Sequence, residues 1–149
     1  MTARKTAVEV RDDGDYALER QVGFMLRLAQ QRHTTIFASL MIEELTPTQW
    51  AAIAKLKEVG PSSQNMLGRL TAMDGATIKG VIDRLTRRGF TSTKTDPADG
   101  RRLLVALTGR GEAVYERAES IARDITEKTL APLNPSERAE LLKLLSKVT

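Results

Sequence analysis

Residues Asp74 to Arg102 set an amphipathic helix directly before two short alternating runs joined by a charged turn, and no other stretch constrains the fold as tightly. In DGATIKGVIDRLTRRGF, Ile78, Val81, Ile82 and Leu85 fall at i, i+3, i+4 and i+7, which lines them along one helix face. Ala76, Gly80, Asp83 and Arg87 lie opposite. Asp74 can cap this helix by accepting a first-turn amide hydrogen bond, and Gly89 can end it in the left-handed conformation. Phe90–Thr95 then alternates as an edge strand does, and Leu103, Val105 and Leu107 repeat the pattern. Between them, Asp96-Pro97-Ala98-Asp99-Gly100-Arg101-Arg102 is built of turn formers and two arginines.

The outward face of the helix carries small residues (Gly75, Ala76, Thr77, Gly80) near its start and Arg84, Arg87 and Arg88 near its end. Small side chains let a backbone approach base edges, Thr77 and Lys79 can reach donors and acceptors there, and arginines neutralise flanking phosphates. A solvated helix with arginines at its negative dipole end would have a similar composition. The basic hairpin tilts the reading toward a recognition helix with a wing, whose Asp99, Arg101 and Arg102 reach a neighbouring minor groove or backbone. Residues 75–102 hold seven Lys or Arg against three Asp, a surplus equal to the +4 of the whole chain. The basic character is therefore local, as expected of a surface that meets a polyanion.

At 149 residues the chain can bury about 70% of its unfolded surface, enough for one compact domain with a dimerisation arm. It has no cysteine and one histidine, His33, so neither a metal site nor a catalytic triad is expected, and no cofactor. Acidic residues are scattered, and no Gly-rich phosphate loop follows a strand, which argues against an enzyme. Without a long apolar run or a secretory segment, the expectation is a soluble cytoplasmic protein with no membrane partner.

Taken in order, residues 1–15 read as a flexible N-terminal arm. A long helix is expected from Tyr16 to about Glu43, with Val22, Leu26, Ala29, His33, Ile36, Phe37 and Leu40 in one stripe and a length of roughly 40 Å. Thr46-Pro47-Thr48-Gln49 is a capping box with proline at the first helical position, and Gly60-Pro61 ends that helix. Ser62 is the expected cap of a short helix carrying Met66, Leu67 and Leu70, which completes a helix-turn-helix. Thr108 can cap a second long helix reaching about Ala131, and Asn134-Pro135-Ser136-Glu137 starts a last one whose leucines exceed what a solvated tail needs. The expected fold is mainly α with a small β-hairpin wing. Residues 45–107 form the winged helix-turn-helix, and 16–44 with 108–149 form a helical region suited to homodimerisation.

From about Tyr16 to the end, the chain resembles the MarR family of bacterial transcription regulators. The resemblance rests on Leu45-Thr46-Pro47-Thr48-Gln49-Trp50, on Gly68-Arg69-Leu70-Thr71-Ala72-Met73-Asp74 leading into Ala76-Thr77-Ile78, on Asp83-Arg84-Leu85, on Arg88-Gly89-Phe90 and on Asp96-Pro97-Ala98-Asp99-Gly100-Arg101 running into Val105-Ala106-Leu107-Thr108. It implies a triangular homodimer that grips a pseudo-palindromic double-stranded operator. Thr77, Lys79, Gly80 and Arg84 would face DNA, and Arg101 would be the wing-tip arginine, oriented by Asp99. Ala98 departs from the arginine many members carry there, which implies a weaker wing grip partly offset by Arg102. The alternative for Asp99 and Arg101 is an ion pair that only stabilises the turn.

The same resemblance implies a small anionic aromatic effector, or its CoA thioester, in a crevice between the two regions. Arg27, His33 and Trp50 are the candidates to hold it, since Arg27 can form two parallel hydrogen bonds to a carboxylate. Against this, Arg27 can be a surface ion-pair partner and His33 a satisfied core histidine. A second functional class, a winged-helix module binding protein rather than DNA, would not need its charge on the helix and wing.

Overall fold

The computed structural model describes residues 14–149; the expected arm over 1–15 lies outside them except for its last two residues. Six helices and one hairpin follow in order: α1 (Val22–Leu40), α2 (Pro47–Val59), α3 (Gln64–Leu70), α4 (Gly75–Arg87), β1 (Thr91–Thr95), β2 (Leu103–Leu107), α5 (Gly109–Leu130) and α6 (Pro135–Lys147). Local capping chemistry sets most boundaries. Thr46 with Gln49 and Asn134 with Glu137 form complete capping boxes, each followed by proline in the first turn. Asp74 accepts from the Thr77 amide at 2.8 Å, and Thr108 from that of Gly111 at 3.1 Å. Gly89, at φ 78°, lets the chain leave α4 and enter β1.

Two expectations need correction. The first helix is shorter than the expected span from Tyr16 to about Glu43 and coincides with the apolar stripe from Val22 to Leu40. Leu18–Arg20 form a single 3-10 turn and Gln21 is extended, so α1 begins at Val22 and, with 19 residues, spans about 28 Å. Its other end is at Leu40, because Met41 is already extended (ψ 141°), and Glu43 and Glu44 take positive φ (57° and 51°) in the turn that follows. The second correction concerns the cap of α3, which is Ser63, its Oγ accepting from the Met66 amide at 3.2 Å. Ser62 is unavailable because its backbone N–H and C=O bond Val105 at 3.0 and 2.8 Å, adding a one-residue bridge to the hairpin.

One core unites these elements. Ile53, Leu56, Leu67, Ile78, Val81, Ile82, Leu85, Phe90 and Val105 fill the space among α2, α3, α4 and the hairpin, while Phe37, Met41, Ala118 and Ile125 continue it where α1 packs on α5. The hairpin is antiparallel, pairing Thr91 with Leu107 through Thr95 with Leu103. Gly68 lets α3 meet α4 closely, since a Cβ there would sit 3.2 Å from Ile78 Cγ2. The chain ends are left apolar and open. Tyr16, Leu18, Val22, Met25, Leu26 and Leu28 near one end and Leu142, Leu144 and Val148 near the other are exposed, and α6 buries none of its residues.

Candidate nucleic-acid interface

Helix α4 turns Ile78, Val81, Ile82 and Leu85 into the core and leaves Gly75, Ala76, Thr77, Lys79, Arg84 and Arg87 exposed, with Gly80 half-buried among them. The Thr77 amide holds the Asp74 carboxyl below its ordinary range, so the cap is ionised where the helix dipole favours a negative charge. The fixed start of α4 thereby sets which side chains its exposed face presents. A cleft of about 600 Å³, lined in part by Asp83, Thr86, Arg87, Thr93 and Leu103, lies between α4 and the hairpin.

The seven basic residues of this region fall into two groups. Lys79 Nζ lies 2.9 Å from Asp83 Oδ2, one turn along the same helix. Arg88 turns inward to the loop between α1 and α2, where it donates to the Glu43 carbonyl oxygen and lies 3.6 Å from its carboxylate. Among the described residues the other five, Arg84, Arg87, Lys94, Arg101 and Arg102, have no acidic partner. Arg87 donates through Nε to the Asp83 carbonyl at 3.4 Å, which extends it along α4. Arg102 donates to Ser63 Oγ at 3.3 Å and so lies toward the start of α3.

The wing tip is built by backbone bonds to aspartates. Asp96 Oδ1 accepts from the Ala98 amide at 2.9 Å and Asp99 Oδ1 from the Arg101 amide at 3.0 Å, while Asp96 and Arg102 close the turn across the strands at 2.8 Å. Asp99 therefore grips the main chain of Arg101 and leaves its guanidinium exposed, with no ion pair among the described residues.

The three effector candidates occupy separate surroundings within one chain. Arg27 is exposed and lines a shallow concavity with Gln30, Gln31, Thr34 and Thr35, which includes neither of the others. His33 faces α5, with Nδ1 2.9 Å from Thr129 Oγ1. That hydroxyl donates to the Ile125 carbonyl at 2.8 Å, so it accepts from His33, which places the proton on Nδ1. Trp50 stacks on Tyr115 of α5 at 5.5 Å and 9°. Thr34 also lines a second, deeper cavity of about 380 Å³ beside Phe37, Ala38, Met41 and the loop residues Glu44 to Pro47.

Two features escaped the sequence reading. The Lys79–Asp83 pair could have been found from its i, i+4 spacing. The Glu43–Arg88 contact could not, because its partners are 45 positions apart.

Comparison with known proteins agrees with this geometry. Residues 45–103 match the family model described as MarR family. Over 138 residues the chain is 40% identical to the transcriptional repressor NicR of Pseudomonas putida KT2440, covering 92% of this chain and 87% of NicR. A probable transcriptional regulator from Pseudomonas aeruginosa superposes with a TM-score of 0.88 at 50% identity, covering 89% of this chain and 100% of the other. BpsR of Bordetella bronchiseptica, whose DNA binding is regulated by 6-hydroxynicotinic acid, superposes with a TM-score of 0.86 at 40% identity, covering 91% and 97%. With 40% identity to such a repressor over 92% of its length, the chain belongs to the MarR family of DNA-binding transcriptional regulators.

Proposed function

We propose that this regulator is a homodimeric repressor that holds a pseudo-palindromic operator and releases it when a small aromatic carboxylic acid binds. The observation that carries the DNA part is the set of five basic side chains on α4 and the wing that have no acidic partner among the described residues. Cations held in ion pairs with the protein would gain little from displacing counterions; unpaired ones gain fully. Gly75, Ala76, Thr77 and Gly80 supply the close approach to base edges, Arg84, Arg87 and Arg102 hold phosphates, and Arg101, set by Asp99, enters the minor groove. The exposed apolar residues of both chain ends support a two-fold dimer that covers them.

For the effector, a cavity of about 380 Å³ suits a single-ring acid better than a CoA thioester, whose nucleotide would extend far beyond it. Regulation of BpsR by a pyridine carboxylic acid supports the same class. Arg27 lines the adjoining concavity, which shares Thr34 with this cavity, and without an acidic partner among the described residues it is the candidate anchor for the carboxylate; His33, bonded to Thr129, and Trp50, stacked on Tyr115, stand outside both. Calorimetric titration with 6-hydroxynicotinic acid and other single-ring acids tests this. One of them should bind and lower operator affinity, and Arg27→Ala should weaken that binding at least ten-fold, about 1.4 kcal/mol. Full affinity in Arg27→Ala would remove Arg27 from the site.

A further inference from the structure

The turn between α1 and α2 is fastened by one residue to the end of α4 and to α5. Glu43 Oε1 accepts from Arg117 of α5 at 2.9 Å, and its other carboxylate oxygen lies 3.6 Å from Arg88, which directly follows α4. Arg88 also donates to the Glu43 main-chain carbonyl, so it is held by two groups of a single residue. The Arg88 guanidinium lies 4.8 Å from the centre of the buried Phe90 ring, and Arg110 of α5 approaches the same ring at 5.4 Å. The end of α4, the start of β1, α5 and the α1–α2 turn thus converge on Glu43.

The turn itself is held in an uncommon conformation. Glu43 and Glu44 are consecutive non-glycine residues at positive φ, a geometry that persists only where surrounding contacts fix it. Met41 and Leu45 anchor its two sides in the core. The next residues, Glu44 to Pro47, form one wall of the 380 Å³ cavity. That wall adjoins Glu43, the residue to which Arg88 is bound.

We propose that Glu43 is a positioning residue for DNA recognition: its grip on Arg88 and Arg117 fixes the angle of α4 against α5 and carries the state of the neighbouring cavity to the recognition helix. The positioning role stands without any effector, and the coupling role rests on the effector reading above. Neither Glu43 nor Arg117 lies on the face assigned to DNA, so their effect must pass through Arg88 and α4. Exposed ion pairs are individually weak, which makes an indirect effect of several-fold the expected scale.

The test uses the full-length protein, a duplex selected by it from a random pool and a scrambled duplex of equal length. Glu43→Gln and Arg117→Gln should each lower affinity for the selected duplex three- to ten-fold and leave that for the scrambled one within two-fold. Glu43→Asp should recover part of the loss. A merely destabilised protein would lose both affinities in proportion, and that result, or no change in either, would overturn the proposal. In a second arm, 6-hydroxynicotinic acid is added: if it lowers wild-type affinity, Glu43→Gln should still bind it by calorimetry but respond at least three-fold less, and a full response would overturn the coupling. If the wild type ignores the acid, the effector reading fails, and the ratio of the two duplex affinities still decides the positioning role.

Discussion

Arg101→Ala should flatten the salt dependence of operator binding by an amount the structure fixes in advance. Among the described residues, five basic side chains of α4 and the wing lack an acidic partner, so the proposed dimer presents ten such cations. If each neutralises one phosphate, log affinity falls against log salt with a slope of about −9. Removing Arg101 from both subunits takes away two contacts and changes the slope by about 1.8. Over a rise from about 50 to 200 mM salt, wild-type affinity should then fall roughly ten-fold further than that of the variant. Fluorescence anisotropy with a labelled operator at several salt concentrations measures both slopes. Lys79→Ala is the internal control, because its ammonium is already neutralised by Asp83 at 2.9 Å and releases fewer counterions. Equal slope changes for the two variants, or none for Arg101→Ala, would refute the sorting of cations by their partners.

Helix propensity alone favours alanine over glycine by about 1 kcal/mol, yet a Cβ at Gly111 would stand 2.1 Å from the Phe90 carbonyl oxygen, so Gly111→Ala should cost about 3 kcal/mol and lower the Tm by roughly 6–12 °C, while Gly109→Ala, which meets nothing within 4 Å, should not lower it. The carboxyls of Asp74, through the Thr77 amide, and Glu43, through Arg117, are held below their ordinary values, so their stabilisation is complete above about pH 4–5 and lost as pH falls through the lowered values. Asp74→Asn keeps an acceptor at the cap without a titrating group, and its Tm should decline less on acidification than that of the wild type.

What the sequence made legible is what is settled within a few residues. Thr46 with Gln49, Asp74 with Thr77 and Asn134 with Glu137 are each three positions apart, so cap and partner appear in one window of sequence. The apolar face of α4 and the alternation of β2 follow from periodicity for the same reason. Ser62 against Ser63 failed because Val105, more than forty residues away, takes the Ser62 backbone. The overlong first helix failed likewise. The apolar stripe from Val22 to Leu40 marks its real ends, but the expected span runs past them to Tyr16 and Glu43, and nothing local in Glu43 or Glu44 signals a left-handed turn, which neither side chain favours.

The division between legible and illegible residues tracks a division of labour. Contacts to a duplex need side chains on one exposed face of one helix and one hairpin, and local sequence dictates such faces directly. Control of that helix needs contacts from outside it, and those join Glu43 to Arg88 and Arg117 across 45 and 74 positions. Two family members can therefore share the helix and wing motifs, and so the mode of grip, while differing in how firmly the turn before α2 is tied to the end of α4. Exchange of residue 43 between such proteins should move the specific-to-nonspecific affinity ratio and leave the salt slope unchanged, because it alters the angle at which the cations are presented and not their number.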